Sequence, residues 1–143
     1  MTTVKITILC ENTAGKPQIL GEHGFSALIE DSENKILFDT GGGYTIKHNA
    51  HILNIDLSQI STVVLSHGHY DHTGGLPYLL DTDKNLTRLY AHPNAFTHRY
   101  VQDSNNVVRE IGYRGPEQNV LSQRLEVIHT QFPTQITPNI IAT

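Results

Sequence analysis

The feature that most constrains this chain is a strand-like apolar run that leads straight into a histidine-rich segment. Residues 62–66 (TVVLS) are apolar and β-branched, the pattern of a buried strand. Four potential metal ligands follow within six residues, at His67, His69, Asp71 and His72. In an extended backbone, side chains two residues apart point to the same face, so His67 and His69 can converge on one cation. We therefore expect a metal site at the end of this strand.

The ligand types indicate which metals to expect. Neutral imidazole and carboxylate groups suit Zn²⁺ first, with iron and manganese as alternatives. Asp71 lies on the same face as His67 only if the extended backbone persists. His72 can face the site as the chain enters the following helix and so form a second cluster of ligands. We therefore expect one or two metal ions. The alternative interpretation is a solvated loop that is rich in histidine by accident. The agreement of ligand types, glycines and strand-to-helix context favours the metal site.

The rest of the chain mixes strand and helix patterns. Alternation and β-branched runs predict strands at 4–10, 25–30, 36–39, 62–66, 88–91, 125–130 and 140–143. Helical spacing and Pro93 predict short helices at 44–53, 73–80 and 94–100. Residues 11–24 and 102–116 are predicted to be loops. We expect an α/β (α+β) fold in a single domain, which suits a length of 143 residues.

Composition excludes several classes of function. The formal net charge is −4, and the 10 Lys and Arg residues are spread thinly, which argues against a nucleic-acid partner. No apolar run approaches the roughly 20 residues of a membrane span. The N-terminus lacks the basic flank and cleavage site of a signal peptide. A single cysteine, Cys10, makes no internal disulfide and reads as a small buried hydrophobe, so we expect a cytoplasmic protein.

The motif His67-x-His69-x-Asp71-His72 resembles the HxHxDH motif of the metallo-β-lactamase superfamily. The resemblance implies an αββα sandwich with one or two metals at the sheet edge. This chain would be the N-terminal portion of one such domain over residues 1–143, a mixed sheet with helices on one face. Further stretches are similar to a branch of dihydropterin ribofuranosylaminobenzene-5'-phosphate synthase-like proteins: residues 11–13, 21–26, 36–41 and 91–93.

The resemblance also implies roles for individual residues. His67 and His69 would bind a first metal, and Asp71 and His72 a second. A metal-bound water or hydroxide would be the nucleophile, and Asp71 would be catalytic by orienting that water or managing its proton. Asp39, in the matching Phe-Asp-Thr-Gly turn, would support a ligand imidazole. An Asx-type turn that holds residues 40–41 is the alternative for Asp39, and the two interpretations are compatible.

Other histidines are weaker candidates for this site. His23, in the long glycine-bearing loop, and His92, after a strand, are candidates to line the site beside the metals or the substrate. The remaining histidines read as surface or core-edge side chains: His48, His51, His98 and His129. The resemblance places the family's remaining ligands in a second half, and a half-sandwich exposes an apolar sheet face. We therefore expect a homo-oligomer or a complementing C-terminal half.

Three functions follow from these observations. The first is a metal-dependent hydrolase-like enzyme, or a transferase of the branch's type, which acts on a small, phosphorylated or pterin-like substrate. The second is a metal-dependent phosphodiesterase or nuclease, against which the scarcity of clustered basic residues weighs. The third is a non-catalytic metal-binding half-domain, or one that a partner completes. We expect an enzyme once the domain is complete. The isolated chain is a candidate for an inactive half of that enzyme.

Overall fold

The computed structural model describes residues 3–82 and 84–143. The residues outside this description are Met1, Thr2 and Asp83. The first two belong to the N-terminal segment in which no signal peptide is predicted. The strands are β1 (Lys5–Cys10), β2 (Ser26–Glu30), β3 (Lys35–Phe38), β4 (Thr62–Val64), β5 (Arg88–Ala91), β6 (Tyr100–Gln102), β7 (Val108–Glu110), β8 (Glu126–His129), β9 (Thr134–Thr137) and β10 (Ile140–Ala142). The α-helices are α1 (Ile46–Ile52), α2 (Tyr70–Thr73), α3 (Leu76–Thr82) and α4 (Gln118–Leu121). Short 3-10 turns span Leu57–Gln59 and Pro93–Phe96.

The main sheet is mixed, with the strand order β1-β2-β3-β4-β5-β8. Strand β2 is antiparallel to both of its neighbours, β1 and β3, whereas β3, β4, β5 and β8 are parallel neighbours. Along the parallel part, Leu37 is in register with Val63 and Val63 with Leu89. The predicted mixed α/β class is confirmed.

One face of the sheet is covered by the helices. Leu37, Val63 and Leu89 are fully buried there, together with Ile46 of α1 and Leu79 of α3. Each large side chain buried in this way stabilises the fold by about 1.5–3 kcal/mol relative to its exposed state. This layer is the main hydrophobic core, and it holds the parallel strands that lead into the histidine-rich segment.

The opposite face of the sheet is covered only in part. Ile36, Val64 and Tyr90 form a second, smaller cluster there, against which the β9–β10 hairpin packs through Ile136 and Ile140. Towards the β1 edge this face is open, and the exposed apolar side chains of that strand and its flank are Val4, Ile6 and Ile8. Helices therefore lie on one face, as predicted.

Two predictions about the second half of the chain are wrong. The helix predicted over 94–100 is a 3-10 turn that ends at Phe96, and the loop predicted over 102–116 contains half of an antiparallel ribbon. Strands β6 and β7 form that ribbon, and their six residues are all exposed. Because neither strand has a buried face, no hydrophobic alternation marks them in the sequence. The sequence pattern also does not predict helix α4 or strand β9.

The helix predicted over 73–80 is split into α2 and α3. Pro77 occupies the second position of α3, where a missing N–H costs nothing because the first turn has no intrahelical acceptor. Among the described residues, no helix has the length and apolarity that a bilayer crossing requires.

Candidate metal centre

The centre lies at the carboxyl ends of β3 and β4. Because these strands are parallel neighbours, Asp39 after β3 and Ser66 after β4 reach the same edge of the sheet. The backbone N–H of Asp39 donates to the carbonyl of Val64 over 2.8 Å, which extends the pairing by one step. Asp39 is 1% exposed and has a φ of 55°, a left-handed conformation that Asp tolerates better than most residues.

The carboxylate of Asp39 organises the site. Its Oδ1 accepts the backbone N–H of Ser66 at 2.8 Å. Its Oδ2 accepts the hydroxyl of Ser66 at 2.6 Å and lies 2.7 Å from Nδ1 of His72. The following turn does not depend on this carboxylate, because the N–H groups of Thr40 and Gly41 donate to the carbonyls of His72 and Phe25. The contacts are those that a supporting role for Asp39 requires, and they differ from an Asx turn.

This network fixes the tautomers of two imidazoles. A carboxylate oxygen only accepts, so Nδ1 of His72 carries the proton that is directed at Asp39. The Ser66 hydroxyl donates to Asp39 and lies 2.8 Å from Nδ1 of His67, so this nitrogen also carries its proton. In the neutral form of both rings Nε2 is then the nitrogen that carries the lone pair, the form that a metal ligand requires.

His67 and His69 form the first candidate pair. Nε2 of His67 lies 3.1 Å from Nδ1 of His69. Two ligands about 2.0–2.1 Å from one tetrahedral zinc ion are roughly 3.3 Å apart, so the pair has the spacing of two ligands of one cation. Burial, followed by the nearby His72 and His69, lowers the pKa of His67 below its usual value. The neutral ring is thereby favoured, and neutral imidazole is the ligating form.

Asp71 and His72 form the second candidate pair. Oδ2 of Asp71 lies 3.4 Å from Nε2 of His72, again close to the separation of two ligands on one ion. The rings of His67 and His72 are 4.1 Å apart between centroids, so the two pairs are neighbours. Over residues 3–82 and 84–143, no group of three or more His, Cys, Asp or Glu side chains is arranged to hold a metal. The donors fit two adjacent half-sites, each with two ligands from this chain.

The two further histidine candidates occupy different environments. His23 lies against the second pair, with Nε2 3.4 Å from Oδ2 of Asp71. It helps to line a cleft of about 260 Å³ that Asp71 and His72 also line. His92 instead accepts the N–H of Asn94 at 3.1 Å and so caps the 3-10 turn that follows β5. Its prediction as a residue near the metals gains no support from this contact.

Several residues that shape the site were missed. Ser66 links Asp39 to His67, and Thr40 donates its hydroxyl to the His72 carbonyl at 3.0 Å. A serine or threonine in a strand-end turn carries no sequence signal for such a role. Gly68 lies against the backbone of the turn after β5, and a Cβ there would lie 1.8 Å from the Ala95 carbonyl oxygen. The two histidines of the first pair are therefore separated by a residue that only glycine can fill.

Relatives share much of this sequence. A protein of Methanocaldococcus jannaschii described as uncharacterized is 36% identical over 137 residues, which cover 95% of this chain and 51% of that protein. The 7,8-dihydropterin-6-methyl-4-(beta-D-ribofuranosyl)-aminobenzene-5'-phosphate synthase of the same organism is 39% identical over 99 residues, 65% of this chain and 34% of that enzyme. This chain thus spans about half the length of the first relative and a third of the second.

Solved structures share the fold. The Rm3 metallo-beta-lactamase superposes with a TM-score of 0.55 at 18% identity, over 84% of this chain and 44% of that one. The MIM-2 metallo-beta-lactamase gives a TM-score of 0.55 at 20% identity, over 83% and 44%. Residues 20–138 match the family described as Metallo-beta-lactamase superfamily, a span that contains the whole candidate centre. This chain belongs to the metallo-beta-lactamase superfamily.

Proposed function

We propose that this chain is the metal-binding part of a metal-dependent enzyme of the metallo-β-lactamase fold. His67 and His69 would hold one ion, and Asp71 and His72 a second, with zinc favoured over iron or manganese. The observation that carries this proposal is the Asp39 network, which engages Nδ1 of both His67 and His72 and so directs Nε2 of each ring to the other candidate ligands. One buried carboxylate that fixes two ring orientations is the support that metal-ligating histidines use.

The chemistry of the proposed reaction is hydrolysis or group transfer. A bound ion supplies a hydroxide at neutral pH or stabilises a leaving group. Oδ2 of Asp71 lies 3.4 Å from Nε2 of both His23 and His72, at the wall of the cleft. That placement suits Asp71 for orienting a water or holding its proton, and His23 for exchanging that proton with solvent.

The finer proposal concerns the substrate. The 39% identity to the dihydropterin-aminobenzene phosphate synthase supports transfer chemistry on a phosphorylated or pterin-like small molecule. The Lys and Arg residues form no cluster along the sequence, so this proposal is favoured over a nuclease. A phosphodiesterase remains an outcome of the test.

The missing ligands would come from a second protein layer on the open sheet face. A groove of about 660 Å³ runs there between the sheet and the β9–β10 hairpin, with Phe38 and Ile136 in its walls. Ile6, 63% exposed, continues the apolar surface to the β1 edge. Because this chain spans 51% of its relative, we propose that the occupant is a half corresponding to the rest of that relative. A dimer of this chain in which each copy completes the other's metal site would overturn that choice.

The deciding experiment measures the metal content per chain after purification without chelator, and then the affinity of the chain for added zinc. The proposal predicts that zinc added to the chain binds with an affinity that His67→Ala and His69→Ala each reduce at least tenfold. His51→Ala, on the exposed side of α1, is the matched control and should bind like the unmodified chain. Full zinc binding by His67→Ala would contradict the site. Zinc binding with no turnover of phosphodiester or pterin-type substrates, even after the second half is added, would favour the non-catalytic alternative.

A further inference from the structure

A second short segment is fastened to the helix that carries the metal-site residues. The N–H of Tyr70 donates to the carbonyl of Ile111 over 3.1 Å. The N–H of Arg114 donates to the hydroxyl of Thr73 over 2.9 Å, and that hydroxyl donates to the carbonyl of His69. Residues 111–114 are therefore fixed to α2 and its N-terminal flank at two points, which sets the position of Arg114 relative to Asp71.

Arg114 lies over an aromatic ring within the metal motif. Its Cζ is 6.0 Å from the centroid of the Tyr70 ring, a cation–π distance. The side chain is exposed, and across the described residues it takes part in no ion pair with a carboxylate. A guanidinium that stacks by its face keeps its edge N–H groups available, in the planar fork that fits phosphate and carboxylate oxygens.

The Tyr70 ring lies near both this guanidinium and His23, and His23 helps to line the metal-site cleft. The ring of His23 lies 6.4 Å from the Tyr70 ring between centroids, and Nε2 of His23 lies 3.4 Å from Oδ2 of Asp71. Asp71 and Glu11 also line that cleft, and their negative charges repel an anion there when no metal is bound. Arg114 supplies a compensating positive charge beside the Tyr70 ring.

We propose that Arg114, Tyr70 and His23 form a subsite that holds the anionic end of a substrate with a planar ring. The guanidinium binds a phosphate or carboxylate group, the Tyr70 and His23 rings contact the planar part, and the reacting end points towards Asp71 and His72. The placement of the substrate's reacting end rests on the proposed function. The contact of Arg114 with the anion does not require a metal.

The test is a calorimetric or NMR titration of the full chain, metal-free and zinc-loaded, with phenyl phosphate, benzoate and inorganic phosphate. Arg114→Gln keeps the backbone N–H that anchors the segment and should weaken phenyl phosphate binding about tenfold. Arg109→Gln, an exposed arginine on β7, is the matched control and should bind like the parent. Tyr70→Leu should remove the preference for phenyl phosphate over inorganic phosphate. The phenyl phosphate and benzoate arms distinguish a phosphate subsite from a carboxylate subsite.

The outcomes separate this inference from the proposed function. Zinc binding at His67 and His69, combined with unchanged phenyl phosphate affinity in Arg114→Gln, overturns the subsite and leaves the metal centre. Absent zinc binding, combined with a loss confined to Arg114→Gln in the metal-free chain, overturns the metal centre and supports the subsite. An equal loss in Arg109→Gln, or no binding by the parent chain, also overturns the subsite.

Discussion

Nδ1 of His72 lies 2.7 Å from Oδ2 of Asp39, a contact between residues 33 positions apart. The same oxygen accepts the Ser66 hydroxyl, and the other oxygen accepts the Ser66 N–H. Three donors thus converge on one carboxylate that is 1% exposed. Any group that replaces it must accept at both oxygen positions, and only a carboxylate does so.

Asp39→Asn is therefore expected to damage the site without removing volume. If the amide oxygen takes the position shared by His72 and the Ser66 hydroxyl, the amide NH₂ faces the Ser66 N–H, and two donors oppose each other. We expect a 10–100-fold loss of zinc affinity and a loss of about 1–3 kcal/mol in the free energy of unfolding. Competition with a chromophoric chelator and urea unfolding measure the two effects.

The control for this substitution is Asp81→Asn, which removes the same charge from an exposed position on α3. It should leave both zinc affinity and stability within experimental scatter. Equal effects in the two variants would mean that net charge, and not the Asp39 network, governs metal binding.

The contrast between Asp39 and Ser66 shows which residues of the site the sequence predicts and which it does not. Asp39 is found because it follows an apolar strand in a motif-like turn, and His67 because it follows a buried strand. Ser66 is not found, since its role depends on β3 and β4 being parallel neighbours, a pairing between residues 27 positions apart. Arg114 is missed for the same reason, because it reaches the motif helix across 41 residues of chain. Local pattern indicates elements and ligand types, whereas partners across the sheet edge require the topology.

Gly68 is expected to be irreplaceable for folding. A Cβ at this position would lie 1.8 Å from the carbonyl oxygen of Ala95, and a backbone atom has little freedom to move aside. We expect Gly68→Ala to destabilise the chain by about 2–4 kcal/mol and to lower zinc affinity, because the clash lies between His67 and His69. Gly15→Ala is the control, since no atom of the part of the chain that the structure describes lies within 4 Å of the position that its methyl group would take. Comparable urea midpoints for the two variants would rule out the clash.

Cys10 is expected to be unreactive in the folded chain. Burial first, and then its hydrogen bond to Glu22 and the charge of that carboxylate, raise the pKa of the thiol from 9.0 to about 12. At pH 8 roughly one thiol in 10⁴ is then ionised, and the thiolate is the reactive form. Labelling by a thiol reagent at pH 8 should be at least 100-fold slower in the folded chain than in guanidinium. Equal rates would show that the thiol is not shielded.

The same shift predicts how stability depends on pH. The pKa is higher in the folded chain, so the contribution of the protonated thiol is complete below about pH 9 and is lost as the pH rises towards 12. Cys10→Ser keeps a donor to Glu22 but does not titrate in this range. The stability difference between the parent and Cys10→Ser, measured by urea unfolding, should therefore be constant from pH 7 to 8.5 and shift against the parent at pH 10.5. A difference that stays constant to pH 10.5 would contradict the raised pKa.

Tyr113 offers a prediction in the opposite direction, towards higher stability. Its hydroxyl is buried and has no hydrogen-bond partner among the described residues, while its ring packs edge-on against Phe96 at 5.1 Å between centroids. Burial raises the pKa of the phenol, in keeping with an apolar surrounding. Because an unpaired buried hydroxyl costs about 1–3 kcal/mol, Tyr113→Phe removes that cost and keeps the ring contact. We expect the free energy of unfolding to rise by about 1 kcal/mol. Tyr44→Phe, at a side chain 85% exposed, should leave it unchanged. A loss of stability in Tyr113→Phe would mean that the hydroxyl is hydrogen-bonded in solution, and the segment that carries Arg114 would then be fixed at one further point.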